Sequence, residues 1–327
     1  MRVGRETRFA PMFAPMEARA DGIGSAAQVL AATAGALAVP HRELGTLVVS
    51  GKDRVTWLNG LLTCDLVKRV PGAALYGLAV ARNGRVIADA RVVFDDEGER
   101  VLLGVPAAVV EALRAHFDHY LVMEDAEMAP ETAGFEAWSI HGPRSEGALA
   151  AARAAGAPGG TLDATGLGGA FVLAPAEKAG EVAAALAAHA TVGDAAGWEA
   201  LRLERGVPRF GLDFDDKTYP QEAALEKSAV SFDKGCYLGQ EVVCMLEMRG
   251  HVKRKLVAVV IDAPEPPPPG AEVTDESGAV VGEVTSAGAS PTLGKPVALA
   301  MIKRASAEPG RGVRVAGAHA EVVARPA

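Results

Sequence analysis

The sequence is poor in cysteine and in aromatic residues, and each shortage excludes a class of protein. Only 3 of its 327 residues are cysteines, Cys64, Cys236 and Cys244. No two of them form a Cys-x-x-Cys pair, so we expect neither a disulfide-stapled secreted fold nor a zinc ribbon. Aromatic residues make up 5% of the chain and all hydrophobic residues 49%, so the core must be mainly aliphatic and alanine-rich. A reducing compartment, the cytoplasm, is expected.

Long apolar runs and an excess of positive charge are also lacking. No stretch reaches the ~20 apolar residues of a membrane-spanning helix, so no membrane partner is expected. The formal net charge is −8 and no long basic face is visible, which argues against direct binding to nucleic acid. Prolines interrupt the first 22 residues, and we expect a flexible leader there rather than a signal peptide.

Strand and helix patterns alternate through the first 250 residues. Arg82-Asn83-Gly84 joins two apolar strands and predicts a β-hairpin, because Asn-Gly is favoured in tight hairpin turns. Antiparallel hairpins mixed with helices favour an α+β fold over a doubly wound parallel sheet. Beyond the proline-rich segment 262–270, short strands punctuated by glycines predict a small β-barrel. The predicted segments are a leader (1–22), an N-terminal α+β subdomain (23–130), a second α+β subdomain (131–250) and a C-terminal β-barrel (251–327).

Three short motifs match known sites only in part. The glycine spacing at 22–24 is that of a dinucleotide-binding loop, but no strand pattern precedes it. The segment 213–218 begins like a calcium loop, but a lysine and a threonine stand where a ligand and a glycine are needed. His116 and His119 lie three residues apart without an evident third ligand. We therefore predict no permanently bound metal.

The segment around Cys236 differs from ordinary core sequence. Gly235 and Gly239 flank its Cys-Tyr-Leu, and a helical pattern follows. Glycine permits positive φ and a close approach of a ligand to the backbone. A cysteine just before a helix, with Lys234 two residues earlier, stands where thiolate is favoured. We predict that Cys236 is an accessible, reactive thiol; a buried, inert cysteine is the alternative that the residue alone leaves open.

The same segment, Lys234-Gly-Cys-Tyr-Leu-Gly-Gln-Glu241, resembles the signature of the YgfZ family. These are folate-binding proteins related to the T-protein (aminomethyltransferase) of the glycine cleavage system. The resemblance extends over about residues 44–325. It is supported by Thr63-Cys-Asp65, by Asn83-Gly84-Arg85-Val86 with Asp89, by the segment 198–208, and by Tyr219-Pro-Gln-Glu222. It implies α+β subdomains around a central folate cavity, followed by a C-terminal β-barrel.

The resemblance also implies a site and a cofactor, tetrahydrofolate or a one-carbon derivative. Trp198 and Glu204 are implied to line the pterin pocket. An indole offers a flat face to a pterin ring, and a carboxylate accepts two N–H bonds from its edge. Arg202 and Asn83 are counted with them as cofactor-binding. From the residues alone, Trp198 in the core and Glu204 as a surface charge remain open. The reactive centre is implied to be Cys236 with Lys234, Gly235, Tyr237, Gly239, Gln240 and Glu241.

Three positions depart from the family pattern. Met245 stands where an arginine is usual, and Leu44 stands near the place of a tryptophan that contacts folate. The T-protein carries a catalytic aspartate on the helix after the strand that corresponds to Val101–Val105. Here no aspartate appears on that helix before Asp118, so the catalytic aspartate is expected to be absent.

Three functions remain open at this stage. The first is a folate-dependent factor that maintains iron–sulfur enzymes, including one that methylthiolates tRNA. Its partners would be folate and iron–sulfur client enzymes or assembly factors, and a monomer is expected. The second is an aminomethyltransferase of the T-protein type, and the third is a non-enzymatic scaffold in which Cys236 only docks. The basic segment 249–255 is expected to meet the glutamate tail of folate.

Overall fold

The computed structural model describes residues 23–95 and 98–324, and the expected leader lies outside them. No helix in these two ranges is both long and apolar enough to cross a membrane. The helices are α1 (Ser25–Ala34), α2 (Arg54–Asn59), α3 (Val110–Asp118), α4 (Ser145–Ala154), α5 (Ala179–His189), α6 (Ala195–Glu204), α7 (Glu226–Ala229) and α8 (Gln240–Met248). The strands are β1 (Leu37–His41), β2 (Leu44–Ser50), β3 (Leu75–Val80), β4 (Val86–Phe94), β5 (Val101–Pro106), β6 (Glu127–Pro130), β7 (Phe135–His141), β8 (Gly159–Thr161), β9 (Gly169–Pro175), β10 (Thr191–Val192), β11 (Arg254–Ile261), β12 (Glu272–Thr274), β13 (Val280–Ser290), β14 (Lys295–Lys303), β15 (Gly312–Val315) and β16 (Ala318–Val323).

The first sheet has the strand order β3-β4-β5-β2-β6 and is built from antiparallel pairs. Its β3–β4 hairpin turns at the predicted Asn83-Gly84, where Gly84 has a φ of 77° that glycine adopts without strain. A side chain at this position would also approach Val242 of α8 to 2.9 Å. The hairpin therefore lies directly against the helix that follows the cysteine motif.

The second sheet has the order β10-β1-β7-β9-β8. Its strands β1 and β7 are antiparallel, and Leu37 pairs with His141, Val39 with Ser139 and His41 with Ala137. Since paired residues share a face, one face of this sheet carries His41, Ser139 and His141. Helices α1 and α6 cover the apolar part of that face, and α4 and α5 cover the opposite one. Strand β1 comes from the first predicted α+β segment and pairs with strands of the second, so the two segments share this sheet.

The last six strands close into a barrel in the order β11-β14-β13-β12-β15-β16. Valine, isoleucine and alanine side chains fill its interior. A second apolar cluster joins Leu203 of α6 to Leu256 and Leu299 of the barrel. The α+β fold and the C-terminal barrel are thus confirmed, and α6 links the second sheet to the barrel.

Two helices end before the apolar spacing of their sequences does. The spacing over 53–64 predicts a helix throughout, but α2 ends at Asn59; the spacing over 24–38 predicts another, but α1 ends at Ala34. In both cases a backbone break follows: Gly35 terminates α1, and beyond α2 the amide of Leu66 is held by the Asn59 side chain. Beyond both helix ends the apolar residues continue, because the following strand or loop is also buried. Helical periodicity alone does not distinguish such residues from a longer helix.

Candidate functional site

A cavity of about 1260 Å³ is lined by residues from both sheets, from α6 and from barrel strand β11. Ligand pockets commonly measure roughly 300–1,000 Å³, so this cavity has room for a large ligand and a second reactant. Polar and charged side chains occur in several places on its wall, and Trp198 and Phe171 supply aromatic surface.

The first polar group on the wall is centred on Asp89 of β4, which is 1% exposed. Its Oδ2 accepts a hydrogen bond from the Tyr76 hydroxyl at 3.0 Å and pairs with Nη1 of Arg91 at 2.9 Å. Its Oδ1 has no hydrogen-bond partner among the described residues. Burial lowers the pKa of Arg91, but the neighbouring Asp89 carboxylate outweighs it and raises the pKa. A buried carboxylate oxygen without a partner carries a large desolvation cost unless a ligand donates to it.

The cavity wall does carry a buried aspartate, but not on the helix where one was looked for in the sequence. The expected place was the helix after Val101–Val105, now α3, but Asp118 at its end pairs with Arg114 at 2.6 Å and does not line the cavity. Asp89 comes instead from the hairpin strand, in the segment Asn83 to Asp89 that was noted only as part of the resemblance. Tyr76, Asp89 and Arg91 share one face of the hairpin, since Tyr76 pairs with Arg91 and residues two apart on a strand point the same way.

The second polar group consists of Glu43, His41, Ser139 and His141. Nδ1 of His41 lies 2.8 Å from Oε1 of Glu43, and its Nε2 lies 2.7 Å from Oγ of Ser139. The same Oγ lies 2.8 Å from Nε2 of His141. Nδ1 of His141 is buried and has no partner among the described residues. None of these four residues was predicted as a site residue, although Ser139 and His141, two apart in an apolar strand, are a signal for a shared polar face.

Trp198 lines the cavity, beside the two histidines. Its ring stacks on His141 at 4.7 Å between centroids, with 11° between the planes, and meets the edge of His41 at 5.5 Å. The helix is held at this place because the Asp194 side chain accepts a hydrogen bond from the backbone N–H of Gly197, a standard N-terminal cap.

Arg202 also borders the cavity, but its hydrogen bonds are made to the protein. It is fully buried, pairs with Glu199, and donates to Asp213 at 2.9 Å and to the carbonyl of Val207 at 3.2 Å. Burial lowers the pKa of Arg202, but the charge of Asp213 and the hydrogen bond to Glu199 outweigh the effect of burial, so the pKa is raised. The contacts of Arg202 are those of a residue that fixes α6 to the loop 207–213.

The structure does not place Glu204 or Asn83 with Trp198 on the cavity wall. Glu204 accepts hydrogen bonds from Oγ of Ser290 at 2.5 Å and from Thr292 at 2.9 Å. Both oxygens of its carboxylate are therefore hydrogen-bonded to residues of the barrel. Six residues along a helix correspond to about 600°, which turns Glu204 about 120° away from Trp198. Asn83 lies in the exposed hairpin turn, where its side chain accepts from the backbone N–H of Arg85.

The Cys236 segment forms a loop outside the cavity, and its thiol is exposed as predicted. Lys234 is 7% exposed, and its ammonium donates to the carbonyls of Asn59, Leu62 and Cys64 at 2.6–2.7 Å. Burial lowers the pKa of Lys234 to about 8, which leaves it charged at neutral pH. The expectation that Lys234 serves the Cys236 thiol is corrected, because all three donors of the ammonium are bound to backbone oxygens.

The remaining motif residues fix the loop on the β3–β4 hairpin. Tyr237 packs with Leu78, Val80 and other apolar side chains, and burial raises the pKa of its hydroxyl. Gly239 has a φ of 77°, and a Cβ there would lie 2.3 Å from the carbonyl of Ala81. Gln240 reaches back to the backbone N–H of Tyr237 at 3.3 Å, and Gly235 and Glu241 are exposed.

The basic segment 249–255 is divided between different neighbours. Arg254 pairs with Glu222 at 3.1 Å and Lys255 with Glu226 at 3.4 Å. Of this segment, Lys255 lines the cavity. Within residues 23–95 and 98–324, no three histidine, cysteine or acidic side chains are grouped to hold a metal ion.

Comparisons with known proteins agree with this architecture. A model of the GCVT N-terminal domain matches residues 9–157, and one of the glycine cleavage T-protein C-terminal barrel domain matches residues 254–327. An aminomethyltransferase of Thermotoga neapolitana is 30% identical over 289 residues, 80% of this chain and 77% of that protein. An aminomethyltransferase of Streptomyces coelicolor is 29% identical over 318 residues, 87% and 84% of the two chains. The crystal structure of the glycine cleavage system aminomethyltransferase T from Bartonella henselae has the same fold. The TM-score is 0.79 at 22% identity, over 93% of this chain and 89% of that one.

Proposed function

The chain belongs to the glycine cleavage T-protein superfamily, and we propose that it binds tetrahydrofolate in the central cavity and acts there as an aminomethyltransferase. The observation that carries this proposal is the unpartnered Oδ1 of the buried Asp89. A reduced pterin presents N–H groups, and such a group satisfies this oxygen.

Asp89 is suited to the transfer itself. When a nitrogen of tetrahydrofolate forms a bond to the aminomethyl carbon, the bond from that carbon to the sulfur of the lipoyl arm breaks. The nitrogen loses a proton and the departing thiolate gains one; a second nitrogen then displaces the amine as ammonia in the same way. A carboxylate within hydrogen-bond reach of the nitrogen accepts the proton as a general base. Tyr76 and Arg91 hold the carboxylate by its other oxygen, Oδ2, so Oδ1 is left for the ligand in a fixed orientation.

Trp198, Lys255 and Arg304 complete the proposed binding site. The indole of Trp198 supplies the apolar surface against which a pterin ring packs, and its contact with His141 fixes its plane. Lys255 and Arg304 on the cavity wall are available to the carboxylates of the glutamate tail. Cys236, Glu204 and Asn83 have no part in this binding site.

The test is an assay of aminomethyl transfer from a lipoylated carrier protein to tetrahydrofolate. Asp89→Asn keeps the size of the side chain and removes its basicity, and we expect kcat to fall about 10²–10⁴-fold. The matched control is Asp118→Asn, the aspartate on α3 outside the cavity, which is expected to keep the wild-type rate. Absence of transfer by the wild type, or full activity of Asp89→Asn, contradicts the proposal.

A second function, favoured by the exposed Cys236 loop, is maintenance of iron–sulfur enzymes in the manner of the YgfZ family. In the segment Lys234–Glu241, the buried ammonium of Lys234 and the constrained Gly239 hold a loop that presents the Cys236 thiol at the surface. Neither feature is needed for the chemistry at Asp89, since the thiol does not line the cavity. The clients would be iron–sulfur enzymes, including one that methylthiolates tRNA.

This second function is tested by complementation in a strain that lacks the gene. Cys236→Ala is expected to lose rescue of iron–sulfur enzyme activities, whereas Cys244→Ala, a half-buried cysteine of α8, is expected to retain it. Full rescue by Cys236→Ala removes the thiol from the function. Rescue by Asp89→Asn together with loss in Cys236→Ala assigns the two sites to separate activities.

A further inference from the structure

We propose that Glu43, His41, Ser139 and His141 form a proton relay, which exchanges one proton with the cavity ligand through Nδ1 of His141. The inference takes only the identity of that ligand from the proposed function: a reduced pterin, whose nitrogen atoms gain and lose protons. It adds a second route for protons to the cavity besides the Asp89 carboxylate.

The relay is continuous at hydrogen-bond distance. The separations are 2.8 Å between Glu43 and His41, 2.7 Å between His41 and Ser139, and 2.8 Å between Ser139 and His141. The geometry follows from the sheet, because the register of β1 on β7 puts both imidazoles and the hydroxyl on one face. Trp198 packs on both rings from α6 and restricts their rotation. All four residues line the cavity.

At the Glu43 end of the relay, the direction of the hydrogen bond is fixed: His41 donates and Glu43 accepts. Burial raises the pKa of Glu43, but the hydrogen bond and charge of His41 outweigh it and lower the pKa to about 2. Glu43 is therefore an ionised carboxylate at neutral pH and only accepts hydrogen bonds, so Nδ1 of His41 carries a hydrogen. At the other end, burial and the charge of His41 lower the pKa of His141 to about 3. His141 is neutral, with a hydrogen on one nitrogen.

These constraints leave two arrangements of hydrogens. With His41 neutral, its Nε2 accepts from the Ser139 hydroxyl, Oγ accepts from Nε2–H of His141, and Nδ1 of His141 presents a lone pair. With His41 protonated, the two bonds at Ser139 reverse while the bond to Glu43 is unchanged: Nε2–H of His41 donates to Ser139, Ser139 donates to Nε2 of His141, and Nδ1 of His141 carries a hydrogen. The charge on His41 therefore decides whether His141 presents an acceptor or a donor to the ligand.

One proton passes when the first arrangement changes into the second. The ligand N–H gives its proton to Nδ1 of His141, Nε2–H of His141 passes to Oγ of Ser139, and the hydroxyl hydrogen passes to Nε2 of His41. The ligand nitrogen keeps the electron pair, and the positive charge comes to rest on His41 beside the Glu43 carboxylate. The reverse sequence returns a proton to a leaving amine, so the same relay serves both directions.

The charged groups that face the relay are few among the described residues. Arg209 and Arg91 interact electrostatically with Glu43. The charge of Asp163 raises the pKa of His141, but burial and the charge of His41 lower it by more. The uncharged Trp198 and Ser139 provide the other immediate contacts. The two arginines help to keep Glu43 ionised.

The first test uses ¹⁵N NMR of the imidazole nitrogens in the full chain without ligand, from about pH 5 to about pH 9, where histidine titrates. We expect the two nitrogens of His141 to exchange pyrrole-type and pyridine-type shifts together with the changes at the His41 nitrogens, although His141 stays neutral. Ser139→Ala removes only the hydroxyl and is expected to abolish this coupling, and Ser139→Thr is expected to restore it. His141 nitrogens that do not move in the wild type, or that still follow His41 in Ser139→Ala, overturn the relay.

The second test separates the relay from the identity of the ligand. Difference absorption spectra of tetrahydrofolate on binding report whether a ring nitrogen of the bound ligand has given up its proton. The wild type and Ser139→Thr are expected to show the absorption change of deprotonation, and Ser139→Ala is expected to lack it. The same difference spectrum in all three proteins overturns the relay. If tetrahydrofolate does not bind, the proposed function fails, and the NMR result alone decides the relay.

Discussion

Lys234 shows how one side chain can organise the loop that presents a cysteine. Its ammonium is buried and donates to three backbone carbonyls between Asn59 and Cys64. These carbonyls follow α2 in a stretch without regular pairing, and buried carbonyls without donors are costly. The aromatic ring of Tyr237 lies 5.3 Å from the same ammonium. Lys234 thus joins the cysteine loop to the segment at the end of α2, whose carbonyl dipoles stabilise its charge.

Replacement of Lys234 is expected to destabilise the protein. Lys234→Met keeps the aliphatic stem but leaves three carbonyls without a donor, so we expect the free energy of unfolding to fall by about 2–4 kcal/mol. Lys217→Met, at an exposed turn position, is the matched control and is expected to change it by less than about 0.5 kcal/mol. Urea denaturation followed by circular dichroism measures both. Equal stability of the two variants would show that the carbonyl contacts contribute nothing.

Helix α6 directs different residues to different neighbours. Trp198 faces the histidines of β1 and β7, Arg202 faces Asp213, and Glu204 faces the turn after β13. Successive helical residues are rotated by about 100°, so a ten-residue helix that lies between a sheet and a barrel can direct side chains to each of them. The sequence allowed the prediction that Trp198 borders a cavity, but the neighbour of Glu204 depends on where the barrel docks.

Glu204 is expected to contribute to stability rather than to folate binding. Glu204→Gln replaces a carboxylate that accepts from Ser290 and Thr292. Because Glu204 is only half-buried, we expect a loss of about 1 kcal/mol in the free energy of unfolding. Glu247→Gln on the exposed face of α8 is the control, expected within about 0.5 kcal/mol of the wild type. A destabilisation no larger than that of the control would remove Glu204 from the barrel contact.

Local signals in the sequence predicted some elements and missed others for physical reasons. The β3–β4 hairpin was predicted because Asn83-Gly84 favours one tight turn whatever surrounds it. Strand β1 was missed because Leu37 and Val39 continue an apolar pattern that also fits a helix, and only pairing with β7 makes them a strand. The cavity histidines are separated by about 100 residues in the chain, so no local pattern joins them. Asp89 lay in a recognised hairpin, but its neighbours Tyr76 and Arg91 become significant only when the strands pair.

On the scale of the whole molecule, two sheets, one helix and a barrel strand enclose a cavity to which each contributes polar groups. The first sheet supplies Asp89 and Arg91, the second supplies His41 and His141, and α6 supplies Trp198. Sites at the junction of several elements are common for ligands, because each element fixes its own side chains independently. The exposed Cys236 thiol, on which the second proposed function depends, lies outside this cavity, on a loop that packs against the same hairpin.

Calorimetric measurement of tetrahydrofolate affinity in three proteins tests the central claim most directly. The proteins are the wild type, Asp89→Asn and Glu204→Gln. If the ligand binds against Asp89, its substitution is expected to weaken binding about 10-fold or more, the equivalent of about 1.4 kcal/mol, and Glu204→Gln is expected to leave the affinity unchanged. Unchanged affinity in Asp89→Asn with weakened binding in Glu204→Gln, or no binding by the wild type, would contradict the account.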